Sequence, residues 1–152
     1  GRLFDGVYAL SENPKALEEL AYEGESGLIL EANVREFSSD KHYSYSIDGG
    51  VISFVAMIKE IVHEKNKKLI AAKFINTLVE IVVTISKCHS ELPIILSGGV
   101  FQNKTLLSKT LQALKKEKIN YVVQNKTPIN DGGISLGQVY YAKSLLEKGD
   151  LL

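Results

Sequence analysis

Cysteine is almost missing from these 152 residues: Cys88 is the one thiol. A lone cysteine can neither build an intrachain disulfide framework nor supply a cysteine-based zinc site. An inert thiol is the simple reading, because His89 is its sequence neighbour and adjacent helix positions point in different directions. An excess of either charge is also lacking. Eighteen Lys and Arg balance eighteen Asp and Glu, so the formal net charge is zero, and the broad positive field of a nonspecific nucleic-acid binder is excluded. The densest basic cluster, Lys115, Lys116 and Lys118 with Glu117 inside it, reads as a solvated helix end favoured by the helix dipole. No run reaches the roughly 18 uninterrupted apolar residues of a membrane span, and no basic-then-apolar leader opens the sequence. Internal repeats and low-complexity tracts are absent too. These absences set the expectation of a soluble, cytoplasmic segment with no nucleic-acid or membrane partner.

What is present suits one domain. Hydrophobic residues make up 45% of the chain, enough at this length to bury a core. Residues 2–10 are amphipathic and predict a helix with Gly6 inside it. "NPKALEEL" predicts a second, with Asn13 as N-cap and Pro14 at the first helical position. Residues 25–35 predict a third. "YSYSI" (43–47) alternates like a half-buried strand and leaves through the turn Asp48-Gly49-Gly50. Two helices follow, over 52–64 and 67–88. In the latter, Ile70, Phe74, Leu78, Val82 and Ile85 recur at helical steps beside a second apolar row, which predicts burial on a wide face. From Pro93 the pattern becomes strand (93–97), Gly-Gly, helix (102–117), strand (119–123), loop and helix (131–147). Strands alternating with helices predict a parallel pairing with crossover helices. The N-terminal third offers few strands to complete a sheet, so the chain is expected to be the later part of something larger.

Three stretches carry candidate chemistry. In "LSGGVFQN", Gly98 and Gly99 follow a strand and precede a helix start, a place where backbone amides and the helix dipole can meet an anion such as a phosphate. Asn103 can both donate and accept, which suits a ribose hydroxyl or a purine edge. An ordinary tight turn explains the same glycines equally well. In "TPINDGGISLGQ", Asp131 sits where an N-cap is expected. Gly132 and Gly133 just inside a helix cost roughly 1 kcal/mol each relative to Ala, so a ligand or a neighbouring backbone must approach closely there. Asp131 could cap the helix or help hold a hard cation. In the third stretch, Asp5 interrupts an apolar helical run, where it is either solvent-exposed or an acceptor for a ribose diol. Gly24, between Glu23 and Glu25, is either a turn or a backbone contact for a sugar.

Taken in order, "GRLFDGVYAL", "YEGES", "SGGVFQN" and "PINDGGISLGQ" resemble the C-terminal part of the HypF family, the carbamoyltransferases of NiFe-hydrogenase maturation, over essentially the whole chain. That domain is similar to the tRNA threonylcarbamoyl-adenosine enzymes and belongs to the actin-like ATPase superfamily, which holds nucleotide between two lobes. The resemblance implies an α/β fold, a mixed sheet with flanking helices, as the second lobe of such an ATPase. It implies that Asp5 holds ribose hydroxyls, that Gly24 lies beside the sugar, that Gly98 and Gly99 approach the phosphates and that Asn103 contacts the nucleoside. Asp131 would be the acidic ligand of a divalent metal, magnesium or iron, in the full-length parent. No residue of this segment is assigned a catalytic role.

The implied chemistry belongs to that parent. ATP and carbamoyl phosphate give carbamoyl adenylate, and the carbamoyl group passes to the C-terminal cysteine of a HypE-type maturation protein. The partners implied are therefore that protein and the remaining domains of the parent chain, with carbamoyl phosphate as substrate. The sequence also departs from the family. Its metal site uses a histidine pair at HxxxH spacing, expected upstream, and His42, His63 and His89 do not make it. Phe74-Ile75 stands where the family often has Phe-His, at a position that reads as structural. The acylphosphatase-like, zinc-finger and adenylate-forming modules are not in these residues, so 1–152 is expected to be a single C-terminal lobe cut from a longer polypeptide. Two alternatives stay open on sequence: a lobe of a tRNA threonylcarbamoyl-adenosine transferase, and a non-catalytic lobe that only docks a partner.

Overall fold

The structure, a computed structural model, describes residues 2–89 and 91–148. Among the described residues six α-helices form, close to where the sequence predicts them: α1 (Arg2–Ser11), α2 (Glu25–Arg35), α3 (Val55–His63), α4 (Lys67–Lys87), α5 (Lys104–Lys116) and α6 (Ile134–Lys148). Four short strands join them: β1 (Ser46–Asp48), β2 (Val51–Ser53), β3 (Ile94–Leu96) and β4 (Tyr121–Val123). The sheets are small. β1 and β2 pair antiparallel, and β3 and β4 pair parallel with Ile95 opposite Val122. Helices flank both pairs, and the two pairs are separate.

α4 organises the core. It packs against α1, α2 and α5, and its Ile70, Phe74 and Ile75 are buried with Val7, Leu30 and Ile61 around them. Each such side chain contributes about 1.5–3 kcal/mol by leaving water. Phe74 meets Phe4 of α1 edge to face at 4.9 Å between ring centroids. By length and composition alone α4 could cross a membrane, yet more than half of its most apolar window, 56%, is buried inside the fold. A smaller cluster of Val83, Leu96 and Leu114 lies beneath β3 and β4.

Several boundaries differ from the sequence expectation, each for a local reason. The strand predicted at 43–47 starts only at Ser46, because Tyr43 is fully buried and its N–H donates to Thr77 Oγ1 at 2.8 Å. Gly49 and Gly50 both take positive φ, +53° and +82°, so the chain returns as a hairpin and 51–53 is a strand rather than a helix start. "NPKALEEL" makes only a 3-10 turn, Pro14–Leu17, capped by Asn13, whose side chain accepts from Lys15 N–H. Such a segment is too short to nucleate a stable α-helix by itself. The helices predicted from 102 and from 131 begin instead at Lys104 and Ile134, each preceded by a 3-10 turn.

Candidate functional site

The first turn of α2 meets the loop after β3 across a pocket of about 300 Å³. Phe4, Tyr22, Glu23, Gly24, Gly27 and Leu28 line one side, and Gly99, Val100, Gln102 and Asn103 the other. Three of the sequence-predicted residues, Gly24, Gly99 and Asn103, are thereby brought together although they are far apart in the chain.

Local geometry explains how each is held. Gly24 is the N-cap of α2 at φ +88°, with nothing near the place a Cβ would occupy. Its backbone, not a tight neighbour, demands glycine. Glu25 steadies this loop by accepting from Ala21 N–H at 2.6 Å. Asn103 is buried and caps α5: its Oδ1 accepts from Leu106 N–H at 2.8 Å, and its Nδ2 makes a long 3.5 Å contact to Gly27 O. That side chain spans the pocket floor from α5 to α2. Gly99 has room around it, since an added Cβ would lie 3.9 Å from Gln102 Oε1 and 4.0 Å from Asn130 Cβ.

The other predicted residues sit differently. Gly98 does not line the pocket; at φ +98° its amide donates to Ile129 O at 2.8 Å and stitches the two glycine-rich loops together. Asp5 lies behind the pocket wall and accepts from Ser26 Oγ at 2.6 Å, while its neighbour Phe4 faces the pocket. Asp131 is exposed on the 3-10 turn before α6. It is not the N-cap expected from the sequence: Asn130 takes that place, its Oδ1 accepting from Gly132 N–H at 3.2 Å. The close approach inferred for the following glycines is real and internal. A Cβ on Gly133 would come within 2.8 Å of Pro128 O. Among the described residues no three His, Cys, Asp or Glu side chains gather as a metal site, so the groups around Asp131 do not by themselves fit a divalent cation.

Sequence reasoning missed the apolar half of the pocket. Tyr22, Leu28 and Val100 are exposed apolar side chains at its rim. Tyr22 lies within "YEGES", two residues before Gly24, and only the fold shows that it shares the pocket with Val100. Apolar walls with the amides of Gln102 and Asn103 and the carboxylate of Glu23 suit a flat heteroaromatic ring carrying hydroxyls.

The profile of the family described as "Carbamoyltransferase, Kae1-like Domain, second subdomain" matches residues 1–138. The chain belongs to this HypF carbamoyltransferase family. It is 34% identical over 145 residues to carbamoyltransferase HypF of Synechocystis sp., which covers 91% of this chain and 18% of the relative. It is 29% identical over 146 residues to the probable carbamoyltransferase HypF of Methanocaldococcus jannaschii, covering 91% of this chain and 19% of that one. The chain thus spans about a fifth of the length of the HypF relatives it matches. Among solved structures, full-length HypF in its phosphate- and nucleotide-bound form superposes with a TM-score of 0.79 at 30% identity, over 97% of this chain and 20% of that one. The parallel β3–β4 pair and the glycine loop after β3 are therefore parts of a HypF-family lobe with the α/β architecture of the actin-like ATPases.

Proposed function

We propose that this HypF-family lobe supplies one wall of a nucleotide site in a carbamoyltransferase, and that the pocket between α2 and the Gly99 loop receives the nucleoside end. The observation that carries the reading is the meeting of Gly24, Gly99 and Asn103 in one pocket with an apolar rim. The likeness to a HypF structure that holds a nucleotide supports it. Tyr22 and Val100 offer apolar surface to a base, Asn103 and Gln102 offer amide donors and acceptors, and Glu23 can accept from sugar hydroxyls. Gly99 leaves space on the side where phosphates would pass.

In the parent enzyme the reaction is transfer of a carbamoyl group from carbamoyl adenylate to the C-terminal cysteine of a HypE-type protein. The adenylate forms when carbamoyl phosphate is hydrolysed with loss of phosphate and the carbamate is adenylated by ATP with loss of pyrophosphate. The thiolate attacks the carbamoyl carbon, a carbon–sulfur bond forms, and the carbon–oxygen bond to the phosphate breaks with release of AMP. The lobe's part is to fix sugar and phosphate so that the thiolate meets the carbonyl in line, a gain of orientation rather than of acid–base chemistry. The test combines the full-length parent with carbamoyl phosphate, ATP and the HypE-type protein, followed by mass measurement of that protein. A mass gain of one carbamoyl group on its terminal cysteine, dependent on ATP, is expected; an unmodified protein under conditions that consume ATP would overturn the assignment.

A further inference from the structure

The pocket wall made by Gly99, Val100, Gln102 and Asn103 is a short span hung between two anchors. One is Asn103 itself, which caps α5. The other is Gly98, where φ +98° and ψ 157° place the backbone in a region that only glycine enters readily. A residue free to take that conformation is equally free to leave it, so something must hold it there. The holding bond comes from beyond β4: the Gly98 amide donates to Ile129 O at 2.8 Å. Ile129 is fixed in turn by the tight fold of its own segment. Asn130 Oδ1 accepts from Gly132 N–H at 3.2 Å, and Asn130 O accepts from Gly133 N–H at 2.9 Å. Gly133 has no Cβ at the place where one would meet Pro128 O at 2.8 Å, and Gln124 Nε2 reaches the same carbonyl at 3.4 Å. Residues 128–133 are not among those lining the pocket.

We infer that Asn130 is a positioning residue for the pocket: through its turn it presents Ile129 O to the Gly98 amide, and so sets where the Gly99 wall stands. Its side chain acts through two hydrogen bonds, Gly132 to Asn130 and Gly98 to Ile129, and needs no contact with a ligand. Asn130 also backs the wall directly, since its Cβ lies 4.0 Å from the place of a Cβ on Gly99. A loop given one shape before the ligand arrives leaves less ordering to be done on binding. That the ligand is a nucleotide rests on the function proposed above; the coupling between the two glycine-rich loops does not.

The test compares Asn130→Ala, which removes the acceptor for Gly132 N–H, with Asn130→Ser, which keeps a neutral acceptor at the cap. Hydrogen exchange of the Gly98 amide is followed by NMR in the 152-residue chain, with the amide of buried Phe74 in α4 as the measure of global opening. Asn130→Ala should speed exchange at Gly98 by about tenfold or more relative to Phe74, and Asn130→Ser should restore most of the protection. Equal speeding at both amides, or the same Gly98 rate in all three proteins, would overturn the inference. An ATP analogue is then titrated into the full-length parent carrying each substitution, beside Gly99→Val. Affinity reduced about fivefold or more by Asn130→Ala and recovered in Asn130→Ser is expected. Normal affinity for Asn130→Ala where Gly99→Val loses affinity would also overturn the inference. Normal affinity in every variant would instead remove the nucleotide reading, and the coupling is then decided by the Gly98 exchange alone.

Discussion

Gly99 and Gly133 lie in neighbouring glycine-rich loops but answer to different surroundings. Gly99 has ordinary φ and nothing closer than 3.9 Å to a would-be Cβ, so Gly99→Val should leave stability within about 0.5 kcal/mol. Its branched side chain would instead project into the pocket, on the side where the proposed site would take a phosphate. Titration of an ATP analogue into the full-length parent should then show affinity reduced by about tenfold or more, the loss of roughly 1.4 kcal/mol; unchanged affinity would mean that the glycine serves only the turn. Gly133→Ala is predicted to behave in the opposite way. Its methyl would lie 2.8 Å from Pro128 O, a backbone atom with little freedom to retreat, so stability should fall by about 1–3 kcal/mol. Thermal denaturation of the short chain reads this as roughly 2–4 °C per kcal/mol. The sequence alone called for a close neighbour at Gly133 and left Gly99 open between a ligand and an ordinary turn. It did not identify the neighbour of Gly133, because the Pro128 carbonyl arrives only when residues 128–133 fold back on themselves.

Asn103 joins two jobs at the start of α5, and two substitutions separate them. Asn103→Ala removes the acceptor for Leu106 N–H and should cost about 1 kcal/mol of stability. Asn103→Asp keeps that acceptor but loses the Nδ2 donor that reaches Gly27 O and faces the pocket. It should retain most of the stability while weakening nucleotide binding in the parent; equal nucleotide affinity for Asp and Asn would remove Asn103 from the site. A second junction is pH-sensitive. Glu60 of α3 is held below the usual carboxylate range, first by hydrogen bonding from the Ser44 side chain, with the Ser44 backbone and Lys73 of α4 adding to it against the opposing effect of burial. A carboxylate lowered by folding adds stability that is complete above its unfolded pKa, about 4.3, and disappears as pH falls through its folded value. Glu60→Gln should therefore be less stable than the parent sequence at pH 7, with the gap narrowing progressively below about pH 4 in denaturant titrations. The helices and the β3–turn–α5–β4 run were legible in sequence because their apolar periods are long or their glycines well placed. The β1–β2 hairpin was not. The Gly49-Gly50 turn was visible, but what shortens its first strand is a contact between Tyr43 and Thr77, 34 residues apart.

The pocket of the assembled lobe has an exposed rim, and this sets what the lobe is expected to do alone. Its pocket gathers Gly24, Gly99 and Asn103 but leaves Tyr22, Leu28 and Val100 exposed at the rim. A nucleotide resting there would keep its phosphates in water, where each protein dipole is screened and no thiolate is aligned with a carbonyl. Asp131, the candidate metal ligand, stands on an exposed turn with no companion cluster of ligating side chains among the described residues. The 152-residue chain by itself is therefore expected to bind adenine nucleotides only weakly, in roughly the millimolar range where a few contacts barely offset the entropy of association, and to turn over neither ATP nor carbamoyl phosphate. Phosphate release should be measured with magnesium or iron present, beside an Asp131→Ala control. Release no faster than that control is the expected result. Turnover well above it would mean that this lobe carries a complete active site, and that the pocket needs no second wall to orient its substrate.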